Sequence, residues 1–243
     1  MGWIAPVIAC YSLLDLDVNV IFSAVMTLFP QHYPTRWARN ADMIVHIVGL
    51  ALALFGGGVA LGLAVSHGLM GKVAAVTVYA LGFIAMLAFS MAYNFAKPTW
   101  QPFLRRLDHA GIFLMIAASY TPFTTQALTG GWAVWMSVTV WTLAGLGIVG
   151  KLFLPGLGKV FWVILYLVLG WLVVVAIEPM VRQVPVAAMI LLGLGGIVYS
   201  VGAVFYMMKR LKFRRAIWHG HVLTGATLHY VAVLVGVVLV GSH

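Results

Sequence analysis

The feature that most constrains this chain is a series of seven apolar runs, each about as long as a membrane is thick. They lie near residues 43–65, 72–95, 109–128, 132–150, 160–178, 185–206 and 217–240. A helix needs about 20 apolar residues to cross a hydrocarbon core of ~30 Å. Each run meets that length, and none carries a charge near its middle. With 63% hydrophobic and 8% charged residues, the chain cannot present a solvated surface; a soluble domain carries roughly 25% charged residues. The predicted fold class is therefore an all-α membrane protein, a bundle of seven transmembrane helices. Short links make consecutive helices antiparallel neighbours, and no soluble domain is inserted. The longest link is AKPTWQPFLRRLD, residues 96–108.

The basic residues predict an orientation. Arg36, Arg39, Lys97, Arg105, Arg106, Lys151, Lys159, Lys209, Arg210, Lys212, Arg214 and Arg215 fall on the side of residue 36, against Lys72 and Arg182 on the other. By the positive-inside rule that first side, with the N-terminus, is cytoplasmic. The net charge of +9 does not point to nucleic acid, because the basic residues sit between apolar runs. Residues 1–35 form a separate apolar segment ahead of a seven-helix domain at 36–243. Asp15 and Asp17 interrupt it, so an interfacial helix is expected, with an eighth span as the alternative. The single cysteine, Cys10, excludes an intrachain disulfide and a multi-cysteine metal site.

Polar groups inside a membrane are penalised, so their positions carry the functional signal. Asp42 and His46 open the first span, and Ser90 and Asn94 close the second. Asp108 and His109 open the third, and Arg215 and His219 open the last. Antiparallel helices bring these groups to one depth. Ser90 with Asn94, and Arg215 with His219, are each four residues apart and share a helix face. The predicted polar cluster is Ser90, Asn94, Asp108, Arg215 and His219. Ser90 and Asp108 are the candidate catalytic groups, and His219 and Asp108 are the residual metal-capable ones. Each has a plainer role as cap, anchor or back-bonded hydroxyl. It is their coincidence on three helices that favours a site. A Schiff-base lysine is absent from the last span, and no acid stands at mid-membrane. These absences disfavour a retinal protein and an ion channel or transporter.

At these residues the chain resembles the haemolysin III branch of the progestin and adiponectin receptor (PAQR) family. The matching stretches are FSMAYN (89–94), LDHAGIFLMIAASYTPF (107–123) and AIWHGHVLTGATLHYVAV (216–233), and His46 also fits. The resemblance implies seven helices, a cytoplasmic N-terminus and a multi-pass protein of the bacterial plasma membrane. It also implies a zinc cofactor, held by the histidine of a Ser-x-x-x-His motif and two of a His-x-x-x-His motif, with an aspartate reaching it through water. Ser90, Asp108 and His219 match that pattern, while Asn94 and Arg215 replace two of the three imidazoles. Asparagine is a poor zinc ligand and a guanidinium has no lone pair to offer. The expected consequence is a degenerate zinc site in which Arg215 pairs with Asp108 as the balancing cation. The functional expectation is a protein that interacts with membrane lipids, a fatty acid or a ceramide-like lipid. The alternative is a zinc-dependent lipid amidohydrolase.

Overall fold

The computed structural model describes residues 32–240, apart from positions 67, 69 and 155. The expected interfacial helix over residues 1–30, with Asp15 and Asp17, lies outside the described residues, as does His67. The described residues contain helices and no strand. They are α1 (Arg36–Ser66), α2 (Met70–Phe95), α3 (Gln101–Gln126), α4 (Gly130–Phe153), α5 (Lys159–Gly170), α6 (Ile177–Gln183), α7 (Val186–Met207) and α8 (Arg214–Val233). A 3-10 turn at Leu172–Ala176 joins α5 to α6 in one rod, and a π turn at Leu234–Val238 extends α8. Seven helical rods result, matching the seven apolar runs.

Six of these rods are long and apolar enough to cross a membrane. The exception is α3, which is of similar length but carries Arg105, Arg106 and Asp108 near its start and three threonines towards its end. Its position accounts for the difference. It packs along both α2 and α4 and touches α5 and α8, so much of its surface meets protein in place of lipid. A helix surrounded by other helices is freed from the need for an apolar exterior.

Small residues let the rods approach. A Cβ added at Gly82 of α2 would overlap Ala118 of α3, and one at Gly147 of α4 would lie 2.6 Å from the Phe113 ring. Transmembrane helices gain their association from such close packing, because lipid supplies no hydrophobic drive between them. On the other flank, Gly49 of α1 lies against Leu87 of α2 and Leu223 of α8. The Tyr230 hydroxyl of α8 donates to the Gly56 carbonyl of α1 at 2.9 Å. This sandwiching of α1 between α2 and α8 positions the polar cluster.

The α5–α6 rod is broken where Pro179 cannot donate to the ladder and crowds the carbonyl four residues earlier. The freed backbone groups still need partners, since lipid offers none. Tyr120 of α3 provides them: its hydroxyl accepts the Val173 N–H at 2.8 Å and donates to the Leu169 and Gly170 carbonyls at 3.2 and 2.9 Å. Basic side chains act similarly at helix ends. Arg106 donates to the Leu152 carbonyl at 3.1 Å and Lys159 to the Tyr206 carbonyl at 2.7 Å, each in the last turn of a helix.

The packing yields a contrast that a melting experiment in detergent checks. Gly82→Val, forced against Ala118, is expected to destabilise the protein by about 1–3 kcal/mol. Gly58→Ala, with nothing within 4 Å of the new methyl, should leave the melting temperature unchanged or raise it.

Candidate functional site

The site begins with two residues one helical turn apart. On α1, His46 donates its Nδ1–H to the main-chain carbonyl of Asp42 at 2.8 Å. That bond assigns the tautomer and leaves the Nε2 lone pair facing the Ser90 hydroxyl of α2, 3.1 Å away. The Asp42 carboxylate turns towards α8 and accepts the Nδ1–H of His219 at 2.6 Å. His219 is thereby left with its own Nε2 lone pair, which lies 3.3 Å from the same Ser90 oxygen. The two imidazoles meet edge to face, with centroids 4.4 Å apart.

One turn beyond Ser90, Asn94 closes the cluster. Its Nδ2 donates to the Ser90 carbonyl at 2.9 Å and lies 3.3 Å from Ser90 Oγ. Its Oδ1 accepts from Arg215 Nη1 at 3.0 Å. Because a guanidinium only donates, this contact decides which end of the amide faces Ser90. The Arg215 guanidinium also stands over the Tyr93 ring, 5.8 Å from its centroid. Asp42, His46, Ser90 and Asn94 are all buried. A carboxylate such as Asp42 is tolerable there because a charge-assisted hydrogen bond compensates for its lost hydration.

These groups open onto an elongated cavity of about 530 Å³. Ser90, Asn94, Asp108, Arg215 and His219 line its polar end, and Asp108 interacts there with Ser90, His219 and Arg215. From that end it runs past Met86, Ile112, Ile116 and Tyr166 to Tyr199 and His229. Along α3 it extends from Asp108 to Tyr120, about 18 Å at 1.5 Å per residue. Its walls are mostly apolar and its charged groups are concentrated at one end. The volume falls in the range of roughly 300–1,000 Å³ typical of small-molecule sites.

The five residues of the expected cluster thus share one cavity. Their pairing differs from expectation. Among the described residues no ion pair joins Arg215 to Asp108; the guanidinium binds the carboxamide of Asn94 instead. The anion that receives a direct hydrogen bond from this cluster's imidazoles is Asp42, which sequence reasoning placed at the mouth of the first span and left out of the site. A signal for it was present: Asp42 and His46 are four apart and open their helix at the depth of His219. His221 faces away, with Nδ1 bonded to the Ile217 carbonyl at 2.8 Å and its ring on Phe205. His229 lies deep in the cavity, its Nε2 donating to the Leu192 carbonyl at 3.2 Å.

Asp42, His46 and His219 bring metal-capable atoms within 4.8 Å of one another. Their present arrangement is one of hydrogen bonds and does not fit the three-imidazole zinc set. The 2.6 Å contact from Asp42 to His219 has the length of a hydrogen bond, since two ligand atoms on one tetrahedral ion lie further apart. Both Nε2 lone pairs converge on a serine hydroxyl. Where two more imidazoles would stand, a carboxamide and a cation are bonded to each other.

Comparison with known proteins agrees with this architecture. The chain is 35% identical over 197 residues to Hemolysin-3 of Bacillus cereus, covering 80% of this chain and 89% of that protein. It is 32% identical over 195 residues to the Hemolysin-3 homolog of Bacillus subtilis, covering 80% and 92%. A human relative, monocyte to macrophage differentiation factor, is 27% identical over 165 residues, 64% of this chain and 67% of that one. The bacterial relatives suit the expected plasma-membrane location. The family described as haemolysin-III related matches residues 36–230, from the start of α1 to the Tyr230 that binds it. The chain is an integral, multi-pass membrane protein and belongs to the haemolysin-III-related family.

Proposed function

We propose that this protein spans the membrane seven times, with its polar cluster on the cytoplasmic side, and holds a lipid acyl chain in its cavity. The observation that carries this reading is the cavity's shape and charge: a long, mostly apolar slot whose charged side chains all lie at one end. A fatty acid or a single-chain lipid has the same division. Its carbonyl or carboxylate would sit beside Asn94 and Arg215, and its tail would run along α3 towards Tyr199. Arg105, Lys209 and Arg214 also line the mouth, where they would draw anionic headgroups from the inner leaflet. The charge asymmetry of the links supports the orientation, and α3 spans by virtue of its neighbours.

A zinc-dependent lipid amidohydrolase is the second reading. The gathering of Asp42, His46 and His219 favours it. The cation at position 215 and the carboxamide at 94 weigh against it, because each removes an imidazole and Arg215 adds a fixed positive charge beside the metal position.

Three measurements test these statements. Lipid extracted from detergent-purified protein should contain one acyl species in near-stoichiometric amount. Ala203→Trp, which fills the cavity, should abolish its retention, and Arg215→Gln should weaken it about tenfold, the value of a charge-assisted hydrogen bond. Unchanged lipid in both variants would refute the cavity assignment. An alkaline phosphatase fused after residue 243 should be active, because the C-terminus would lie outside; an inactive, stable fusion would reverse the orientation. Metal analysis should find no stoichiometric zinc in the natural protein and a near-stoichiometric amount once Asn94→His and Arg215→His restore the missing imidazoles.

A further inference from the structure

We propose that Ser90, His219 and Asp42 form a metal-independent nucleophilic relay that cleaves an ester or amide bond of the acyl lipid held in the cavity. This rests on the lipid-binding reading and adds a reaction to it. The connectivity is hydroxyl to imidazole to carboxylate: Ser90 Oγ lies 3.3 Å from His219 Nε2, and His219 Nδ1 lies 2.6 Å from Asp42 Oδ1. Activated serine nucleophiles are recognised by that geometry and by roles, whatever the fold or chain order. The three groups come from α2, α8 and α1, so each is held by a rigid rod. Asp42 is fully buried and meets the His219 imidazole on its Nδ1 side, away from Ser90, which makes it the positioning residue. It holds the tautomer with Nε2 unprotonated and stabilises the imidazolium that forms. Ser90 and His219 both face the cavity, where a substrate carbonyl would lie.

The residues that replace the zinc ligands fit this chemistry. The Asn94 amide, fixed by Arg215, offers an N–H at 3.3 Å from Ser90 Oγ. Its donation leaves the serine proton for the acceptors around it, the His219 and His46 nitrogens and Asp108. His46, at 3.1 Å, supplies a second acceptor and confines the hydroxyl to the cluster. Arg215 lines the same end of the cavity and is bonded to Asn94, so its charge would favour the negative charge that develops on a carbonyl oxygen there.

The reaction balances with water as the only co-reactant. Ser90 Oγ attacks the acyl carbon while its proton passes to His219 Nε2. The bond to the leaving oxygen or nitrogen breaks, and that atom takes the proton from His219. The acyl group is then an ester of Ser90. Water attacks this ester, giving a proton to His219 Nε2, and the proton returns to Ser90 Oγ as the fatty acid leaves.

A long-chain alkyl fluorophosphonate is the probe. Incubated with the full-length protein in lipid nanodiscs, it should add once to the chain, at Ser90 by peptide mass spectrometry, with or without a chelator. Ser90→Ala should abolish the adduct. Asp42→Asn should slow its formation by at least about a hundredfold and change the pH profile of labelling, which a purely structural role would not do. Melting curves check that both variants fold, and the site and pH profile of labelling in the natural protein stand as evidence if they do not. No adduct at Ser90 in protein that retains its acyl lipid would overturn the relay and leave lipid binding intact. So would labelling that a chelator removes and zinc restores. An adduct at Ser90 in protein that purifies without lipid would support the relay and refute the binding reading.

Discussion

A carboxylate with no exposed surface, Asp42, accepts the N–H of His219 from a helix 177 residues away in the chain. In a bundle where lipid offers no hydrogen bonds, a buried acid must find its partner within the protein. That requirement ties α1 to α8 at one end, much as Tyr230 and the Gly56 carbonyl tie them nearer the middle. It also sets the tautomer of His219 and so aims a lone pair at Ser90. The other polar contacts at this end follow in sequence, with Ser90 binding His46 and Asn94 binding Arg215.

The same rule accounts for features remote from the site. The break between α5 and α6 leaves backbone groups that Tyr120 satisfies with one hydroxyl. Arg106 and Lys159 occupy carbonyls in the last turns of α4 and α7. The basic residues that give the chain its charge asymmetry therefore also finish its helices. Lipid-facing positions follow the opposite logic. The rods α1, α2, α4 and α7 expose large apolar side chains such as Phe55, Leu81, Leu146 and Ile190, which only a hydrocarbon solvent tolerates.

The replacements at 94 and 215 change the chemistry of this end without leaving it empty. A metal site needs lone pairs converging on a point, whereas a guanidinium and a carboxamide bring N–H donors. The cluster keeps three acceptors around Ser90, namely two imidazole nitrogens and the Asp108 side, and sets against them the donors of Asn94 and Arg215. That inventory suits stabilisation of a developing anion better than coordination of a cation.

Much of the fold was legible in the chain itself, because span length and short links are one-dimensional properties. Seven apolar runs became seven rods, and Ser90, Asn94, Asp108, Arg215 and His219 were placed together because antiparallel helices bring matching ends to one depth. The pairing was not legible. Sequence chemistry favoured Arg215 with Asp108, the nearest formal charges, yet the rotation of each helix about its axis turned Arg215 to Asn94 and His219 to Asp42. Composition and periodicity determine that a helix crosses and which residues lie at its end. Which side chains touch depends on how neighbouring rods pack, and that is set by contacts such as Gly49 against Leu87 and Leu223, between residues far apart in the chain.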